Sequence, residues 1–128
     1  MARVLTQTEA KSMSLPGRKS LEIVSGETGS RAVTLRLVEI PVPQSGDAPR
    51  GRHFHSDSEE CIYVLSGHGT ATIGQSIHPI GPGDFLGFPC NAVAHELKND
   101  GTEPLVYLVM GQRLVQEVAE YPRQGLRL

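Results

Sequence analysis

Short runs of apolar and β-branched residues, separated by turn residues, dominate the middle of the chain. The runs cover residues 32–42, 61–65, 70–73, 85–88, 94–97 and 105–110. Gly and Pro recur between them at intervals too short for a long helix, because Pro removes a backbone donor and each interior Gly costs about 1 kcal/mol relative to Ala. Short strands with turns between them predict an all-β, antiparallel sandwich or barrel.

Two segments carry strong turn signals. Asn99, Asp100 and Gly101 tolerate the left-handed backbone region, and they stand just before the apolar run at 105–110, so we expect a hairpin turn there. The sequence Gly-Pro-Gly-Asp at residues 81–84 predicts a second tight turn.

The ends of the chain are less regular than its middle. Residues 1–20 predict an irregular N-terminal lead-in, with a short helix capped by Thr6 or Thr8. Residues 21–128 form the predicted barrel domain. Within it, residues 112–121 suit either a strand or a two-turn helix, because their periodicity does not distinguish the two.

Length and charge exclude several classes of function. The 128 residues suit a single domain, and 12 basic against 14 acidic residues give a net charge of −2. We therefore expect no nucleic-acid or anionic-membrane partner. No apolar run is long enough for a membrane span or a signal peptide, so we expect a cytoplasmic protein. Cys61 and Cys90 have no metal-ligand spacing and are expected to be reduced.

A cluster of potential metal ligands begins at His53. In an extended strand the side chains at positions i and i+2 share a face, so His53 and His55 would direct both imidazoles to one point. Residues 56–58 are polar and predict a tight turn, after which Glu59 or Glu60 would begin a strand running back beside the first. This arrangement would bring a carboxylate to the two imidazoles, which suits a metal ion.

The other three histidines differ in their surroundings. His95 opens an apolar strand after a turn and is the fourth candidate ligand. His68 stands between two glycines in a turn, and His78 stands beside Pro79, so we expect both to be partly exposed and incidental to the site. The alternative for His78, and also for Cys90, is a position lining the cavity that would surround these ligands.

The spacing of these residues resembles a known protein family. His53-x-His55-x4-Glu60-x6-Gly67 is similar to the first motif of the cupin superfamily, from the first His onward. The glycine usually found six positions before that His would fall at residue 47, where this chain has Asp, so the loop entering the site differs from the family pattern.

Residues 83–99 resemble the second cupin motif, with Pro89, His95 and Asn99 at its diagnostic positions. The usual Pro-x-Gly-x-x-His becomes Pro-Cys-Asn-Ala-Val-Ala-His here, with one extra residue and with Asn91 in place of Gly. Asn is a good substitute for Gly where φ is positive, so we expect the turn to persist. The two motifs lie within residues 46–101.

The resemblance implies a small single-domain cupin, which is an antiparallel jelly-roll β-barrel with one divalent metal ion inside. It also favours Glu60 over Glu59, since six residues separate Glu60 from Gly67 as in the family. Strand alternation would then place Glu60 on the inner face. The implied ligands are His53, His55, Glu60 and His95.

Such a ligand set does not select one metal, and Zn, Ni, Fe, Mn and Co all suit it. Three imidazoles and one carboxylate leave coordination positions open for a substrate, as in catalytic sites. We therefore expect an enzyme acting on a small oxygenated substrate, by isomerase, epimerase, cyclase, lyase or dioxygenase chemistry. The alternative is a non-catalytic protein that binds a sugar or another metabolite.

A general acid or base would have to come from the cavity wall. The candidate catalytic residues are Tyr63, Tyr107 and Arg36. Tyr107 lies in an apolar strand, where a core position is the simpler interpretation. Arg36 lies among apolar neighbours, so it either extends outward to solvent or faces the cavity and binds an anionic substrate. We also expect a homodimer, because small cupins commonly pair through sheet edges and apolar outer faces.

Overall fold

The computed structural model describes residues 6–15, 17–25, 30–44, 54–55, 59–89, 93–112, 119–121 and 126–127. Apart from a single 3-10 turn at Gln7–Glu9, the regular elements of this part of the chain are β-strands. They are β1 (Lys11–Leu15), β2 (Arg18–Val24), β3 (Val33–Ile40), β4 (Phe54–His55), β5 (Glu60–Ser66), β6 (Gly69–Ile73), β7 (Ser76–Ile80), β8 (Phe85–Phe88), β9 (His95–Asn99), β10 (Leu105–Gln112), β11 (Ala119–Tyr121) and β12 (Leu126–Arg127).

The strands form three antiparallel sheets. The largest has the order β1-β2-β3-β10-β5-β8, and the two smaller sheets have the orders β7-β6-β9 and β12-β11-β4. Strands far apart in the chain lie side by side, as β3 and β10 do. The predicted all-β antiparallel fold is confirmed. Within the described part of the chain, no helix is long and apolar enough to cross a membrane.

The hydrophobic core lies on one face of the large sheet and is completed by β6, β7 and β9. Alternation along β5 shows the two faces, since Ile62 and Val64 are buried while Tyr63 is exposed. The buried apolar side chains are Val38, Ile40, Ile62, Val64, Ala71, Ile80, Leu86, Phe88, Leu97, Leu105 and Tyr107. Below, "inner face" means the side of the large sheet that carries these residues.

Strand register arranges the inner-face residues in rows across the large sheet. Directly paired residues of antiparallel strands point to the same face, so each row is a line of neighbouring side chains. The first row contains Thr34, Gly111, Glu60 and Phe88. The second contains Glu22, Arg36, Val109, Ile62 and Leu86. The third contains Ser20, Val38, Tyr107 and Val64.

Two predicted hairpins are wrong. The strand that starts at Glu60 does not run beside the strand of His55, because β5 pairs with β10 on one edge and with β8 on the other. Both edges of β5 are thus occupied, and β4 pairs with β11 instead. The turn at 99–101 does not close a hairpin either, since β9 pairs with β6 while β10 pairs with β3 and β5. That segment connects two different sheets.

The N-terminal part is more regular than its sequence suggests. Residues predicted as an irregular lead-in form β1 and the start of β2, which pair as an antiparallel hairpin at the edge of the large sheet. The predicted helix is reduced to the 3-10 turn at Gln7–Glu9, whose N-cap Thr6 makes no side-chain capping bond. At the other end, β10 extends to Gln112 and β11 is a strand, whereas 113–118 lie outside the described residues.

The turn at residues 81–84 is confirmed. The backbone N–H of Asp84 donates to the carbonyl of Gly81 over 3.1 Å, and the Asp84 carboxylate accepts from the N–H of Gly81 over 2.8 Å. Gly83 has φ +88°, a conformation that favours glycine.

Candidate functional site

Glu60 and His95 meet inside the protein although they belong to different sheets. Glu60 opens β5 in the large sheet, and His95 opens β9 in the β7-β6-β9 sheet, where it pairs with Ile73. The Nε2 atom of His95 lies 3.3 Å from Oε1 of Glu60. The two side chains are 2% and 13% exposed, so this contact between an imidazole and a carboxylate is almost closed to solvent.

Phe88 and Val93 fix the imidazole of His95 in place. Phe88 pairs with Glu60 in the sheet, and its ring stacks on His95 with a centroid distance of 3.7 Å and an interplanar angle of 12°. Nδ1 of His95 lies 3.5 Å from the carbonyl oxygen of Val93. The Val93 carbonyl can accept a proton from Nδ1 whenever Nε2 serves as a metal ligand, and without a metal Nε2 can instead donate to Glu60.

The pair has the chemistry of a metal site. A nitrogen lone pair and a carboxylate oxygen repel each other unless a proton or a cation lies between them. Neutral imidazole and carboxylate are also ligands that first-row divalent metals accept. Glu60 and His95 therefore fit a divalent cation. Within the described residues they are two potential ligands, and no group of three or more metal-binding side chains occurs there.

Gly111 leaves space beside Glu60. It stands between Thr34 and Glu60 in the first row, where any other residue would place a side chain next to the carboxylate. The Thr34 hydroxyl donates a long hydrogen bond of 3.4 Å to the Gly111 carbonyl. Among the described residues, Gly111 adds no side chain to the inner face on this side of Glu60, and Phe88 is the neighbour of Glu60 on the opposite side.

A groove of about 520 Å³ lies near this end of the sheet. Glu60, Phe88 and Gly111 border it, but Cys61 and Phe85 also line it, and these two alternate with buried inner-face residues. We therefore assign the groove to the outer surface at the strand ends rather than to the space between Glu60 and His95.

The structure brings together two of the four predicted ligands. His53 lies outside the described residues, and so does Cys90. His55 lies in β4, where it pairs with Ala119, and its side chain is outside the described part of the chain. Glu59 is exposed, and its backbone N–H donates to Oε1 of Gln112 over 2.8 Å.

The three predicted catalytic residues occupy different environments. Tyr63 is 41% exposed and lies on the outer face of β5, opposite to Glu60. Tyr107 is 3% exposed and packs in the core between Val38 and Val64, two rows from Glu60. Arg36 is half-buried on the inner face, one row from Glu60. Of the three, Arg36 is the residue whose position suits a role near the site.

The remaining histidines stand apart from the site. His68 is exposed in the connection between β5 and β6, and His78 is exposed on β7. Their predicted exposure is confirmed.

Sequence reasoning misses Phe88 and Gly111. The sequence indicates Phe88 only as a strand residue, because its stacking on His95 depends on how two sheets pack together. Gly111 carries a weak signal of its own, since a glycine inside an otherwise apolar strand often marks a close approach or a bend.

A family model matches the part of the chain that contains this fold and these motif residues. The model described as "Cupin domain" matches residues 38–111, which include Glu60, His95 and most of the strands described above. The chain belongs to the cupin family. A comparison with curated proteins gives no significant match.

Solved cupin structures resemble this protein over most of its length. A candidate sugar phosphate isomerase from Acidithiobacillus ferrooxidans is 42% identical, with a TM-score of 0.78, and the match covers 98% of this chain and 84% of that one. A sugar phosphate isomerase of the cupin superfamily from Silicibacter pomeroyi is 26% identical, with a TM-score of 0.77 and coverage of 93% and 81%. The polyketide cyclase RemF from Streptomyces resistomycificus shares the fold. It is 20% identical, with a TM-score of 0.69, and the match covers 88% of this chain and 80% of that one.

The second cupin motif of this chain has a structural role at Asn99. The side-chain amide of this buried residue donates to the carbonyls of Ile40 and Glu103 over 2.9 and 2.8 Å. Its side-chain oxygen accepts from the N–H of Gly101 over 2.9 Å. Asn99 therefore holds together the connection from β9 to β10 at the end of the barrel away from Glu60.

Proposed function

We propose that this cupin is a metal-dependent sugar phosphate isomerase. The observation that carries the proposal is the buried contact between Glu60 and His95, which joins two sheets at a point where a cation fits. His53 and His55 would complete the site with two more imidazoles. Two solved structures support this substrate class over the other chemistries that the ligand set allows. One is described as a candidate sugar phosphate isomerase and is 42% identical, and the other is described as a sugar phosphate isomerase and is 26% identical.

The residues around the site would each contribute to isomerisation. A divalent ion at this site would polarise the carbonyl and hydroxyl oxygens on the two adjacent carbons between which the substrate's hydrogen moves. Glu60 and His95 would hold it, with Phe88 keeping the imidazole oriented. The gap left by Gly111 would admit the sugar beside Glu60, and the buried side chains of Ile62 and Phe88 would exclude water from the reacting end.

Metal content tests the ligand set. We expect the purified protein, reconstituted in turn with Zn, Ni, Fe, Mn or Co, to hold about one ion per chain for at least one metal. His55→Ala should lose most of that metal, because one of four ligands is removed. His68→Ala, which removes an exposed histidine elsewhere, should keep it. Equal metal content in wild type and His55→Ala would contradict the proposed site.

Turnover tests the reaction class. We expect the metal-loaded protein to interconvert an aldose phosphate and the corresponding ketose phosphate, followed by NMR of the sugar carbons. A sugar phosphate that binds tightly and returns unchanged with every metal would instead make this a non-catalytic binding protein, which is the second function compatible with the site.

We also propose that the protein is a homodimer formed through the outer face of the large sheet. An apolar row crosses five strands on that face and contains Leu21, Leu37, Leu108, Tyr63 and Phe85. Tyr63 is 41% and Phe85 64% exposed. An apolar row of this length is typical of an interaction surface.

Light scattering tests the dimer. We expect a mass about twice the 13.8 kDa of one chain. Phe85→Glu should shift the protein towards the monomer, because it would bury a charge in the interface. Ile77→Glu is the matched control, since Ile77 is 71% exposed on a strand of another sheet. A mass near 13.8 kDa for the wild type at all concentrations would contradict the dimer.

A further inference from the structure

The inner face of the large sheet has a polar half and an apolar half. Strands β10, β5 and β8 contribute mainly apolar side chains to it. Strands β2 and β3 contribute the buried Val38 and Ile40 and also four polar residues, Ser20, Glu22, Thr34 and Arg36, which we call the polar wall. Part of this wall is deeply buried, since Ser20 is 1% exposed and its hydroxyl has no hydrogen-bond partner among the described residues. Buried polar groups without partners are uncommon in folded proteins.

Arg36 is the cation of the polar wall. It pairs with Val109 across β3 and β10, and Val109 in turn pairs with Ile62 of β5, so Arg36 lies in the row next to that of Glu60. Two inter-strand spacings of about 4.8 Å separate β3 from β5. Arg36 is half-buried, and it forms no hydrogen bond or ion pair with any described residue. A partly buried guanidinium without a partner is well suited to bind an anion.

We propose, resting on the isomerase function proposed above, that Arg36 binds the phosphate of the substrate whose carbonyl end lies at Glu60 and His95. Two strand spacings, about 10 Å in all, separate the strand of the guanidinium from the strand of Glu60, so that one sugar phosphate could contact both residues. Guanidinium and phosphate form paired, charge-assisted hydrogen bonds, which fix orientation as well as affinity. Arg36 would therefore determine specificity for phosphorylated over unphosphorylated sugars.

Glu22 gives the proposal a competing interpretation. It pairs with Arg36 in the sheet, so its side chain lies on the same face in the neighbouring position, although the two side chains form no ion pair. If Arg36 served only to balance Glu22, the two residues would contribute to stability together. If Arg36 binds phosphate, Glu22 lowers the affinity for the anion, and removing its charge should strengthen phosphate binding.

Inorganic phosphate is the probe for the first experiment. It is titrated into protein treated with a chelator, so that a bound metal cannot itself bind phosphate, and binding is followed by calorimetry. We expect Arg36→Gln to weaken phosphate binding about tenfold or more, because a charge-assisted hydrogen-bonded pair is lost. Arg31→Gln, which removes the same charge from an exposed position just before β3, should bind as the wild type does.

Two further variants separate binding from structure. Arg36→Lys should bind phosphate with intermediate affinity, since it keeps the charge but not the paired geometry. Glu22→Gln should bind phosphate at least as tightly as the wild type. Equal phosphate affinity in wild type and Arg36→Gln would overturn the proposal. Equal thermal destabilisation of Arg36→Gln and Glu22→Gln, with phosphate binding weakened in both, would also overturn it in favour of a structural pair.

Kinetics of the metal-loaded protein distinguish this proposal from the isomerase function. With a sugar phosphate, Arg36→Gln should raise KM by about tenfold while kcat changes less, and with the unphosphorylated sugar it should change neither. Turnover of a sugar phosphate that does not depend on Arg36 would refute the phosphate site and leave the isomerase intact. Arg36-dependent phosphate binding without any turnover would refute the isomerase and support the anion site.

Discussion

Replacing Glu60 by Gln is expected to weaken metal binding about a hundredfold or more and to abolish most turnover. The substitution keeps the size of the side chain but removes the charge that faces Nε2 of His95 at 3.3 Å. Even changes in residues that only support metal ligands typically cost about 10–100-fold in affinity or activity, so loss of a direct ligand should cost at least that much. Metal affinity is measured by competition with a chelating dye and activity by conversion of the sugar phosphate.

Glu59→Gln is the matched control. It removes the same charge one residue earlier, where the side chain is exposed and the backbone contact with Gln112 is unaffected. We expect its metal affinity and turnover to match those of the wild type. Saturating metal should also raise the unfolding temperature of the wild type and of Glu59→Gln, but not that of Glu60→Gln. A ligand at a hundred times its Kd adds about 2.7 kcal/mol to the free energy of unfolding. Similar losses in both variants would contradict Glu60 as a ligand.

The contrast between these two glutamates also shows what could be predicted from the sequence. Alternation along a strand determines which side chains share a face, so the amino-acid order alone is enough to group Glu60, Ile62 and Val64. Burial of Ile62 and Val64, with Tyr63 exposed, agrees with that grouping. The same alternation leaves Arg36 undecided, because its neighbours are apolar on both faces of β3. Its pairing with Val109, which in turn pairs with the buried Ile62, places Arg36 on the inner face.

Strand partners could not be predicted in the same way. Apolar alternation fixes a face but not the neighbour across the sheet, and the neighbours of β5 come from segments more than 20 residues away. Local turn signals therefore suggest hairpins at 56–58 and 99–101 that the sheets do not contain. Contact between Glu60 and Phe88, and stacking of Phe88 on His95, follow from these distant pairings. The sequence could point to Glu60 and His95 as residues of one site, but the packing that brings these two side chains together could not be predicted from it.

The first hairpin, β1 with β2, escapes prediction for a related reason. Lys11–Leu15 has the sequence KSMSL, which contains no β-branched or aromatic residue and so carries a weak strand signal. It forms a strand because β2 offers it an edge, with Met13 paired to Ser20. Tertiary context thus overrides local preference at the edge of the large sheet.

Gly67→Ala is expected to cause a larger loss of stability than alanine at any other glycine in the described part of the chain. Gly67 adopts φ +83°, which costs an L-residue about 1–2 kcal/mol. A Cβ atom there would also overlap the carbonyl oxygen of Pro104 and stand 2.9 Å from Cα of Leu105. Both are backbone atoms, so they cannot rotate away, and Leu105 is fully buried in the core. We expect the free energy of unfolding to fall by about 4 kcal/mol or more, from a total that is typically about 5–15 kcal/mol.

Gly83→Ala separates the two causes of this loss. Gly83 has a similar φ of +88°, but a Cβ atom there would meet nothing within 4 Å. It should therefore lose only the conformational part, about 1–2 kcal/mol. Urea unfolding of both variants, with equal m-values, measures the difference directly. Losses of equal size would show that close approach of the Pro104 backbone is not what requires glycine at position 67. A much larger loss for Gly67→Ala would show that glycine is required at position 67 because the connection from β5 to β6 packs closely against the start of β10.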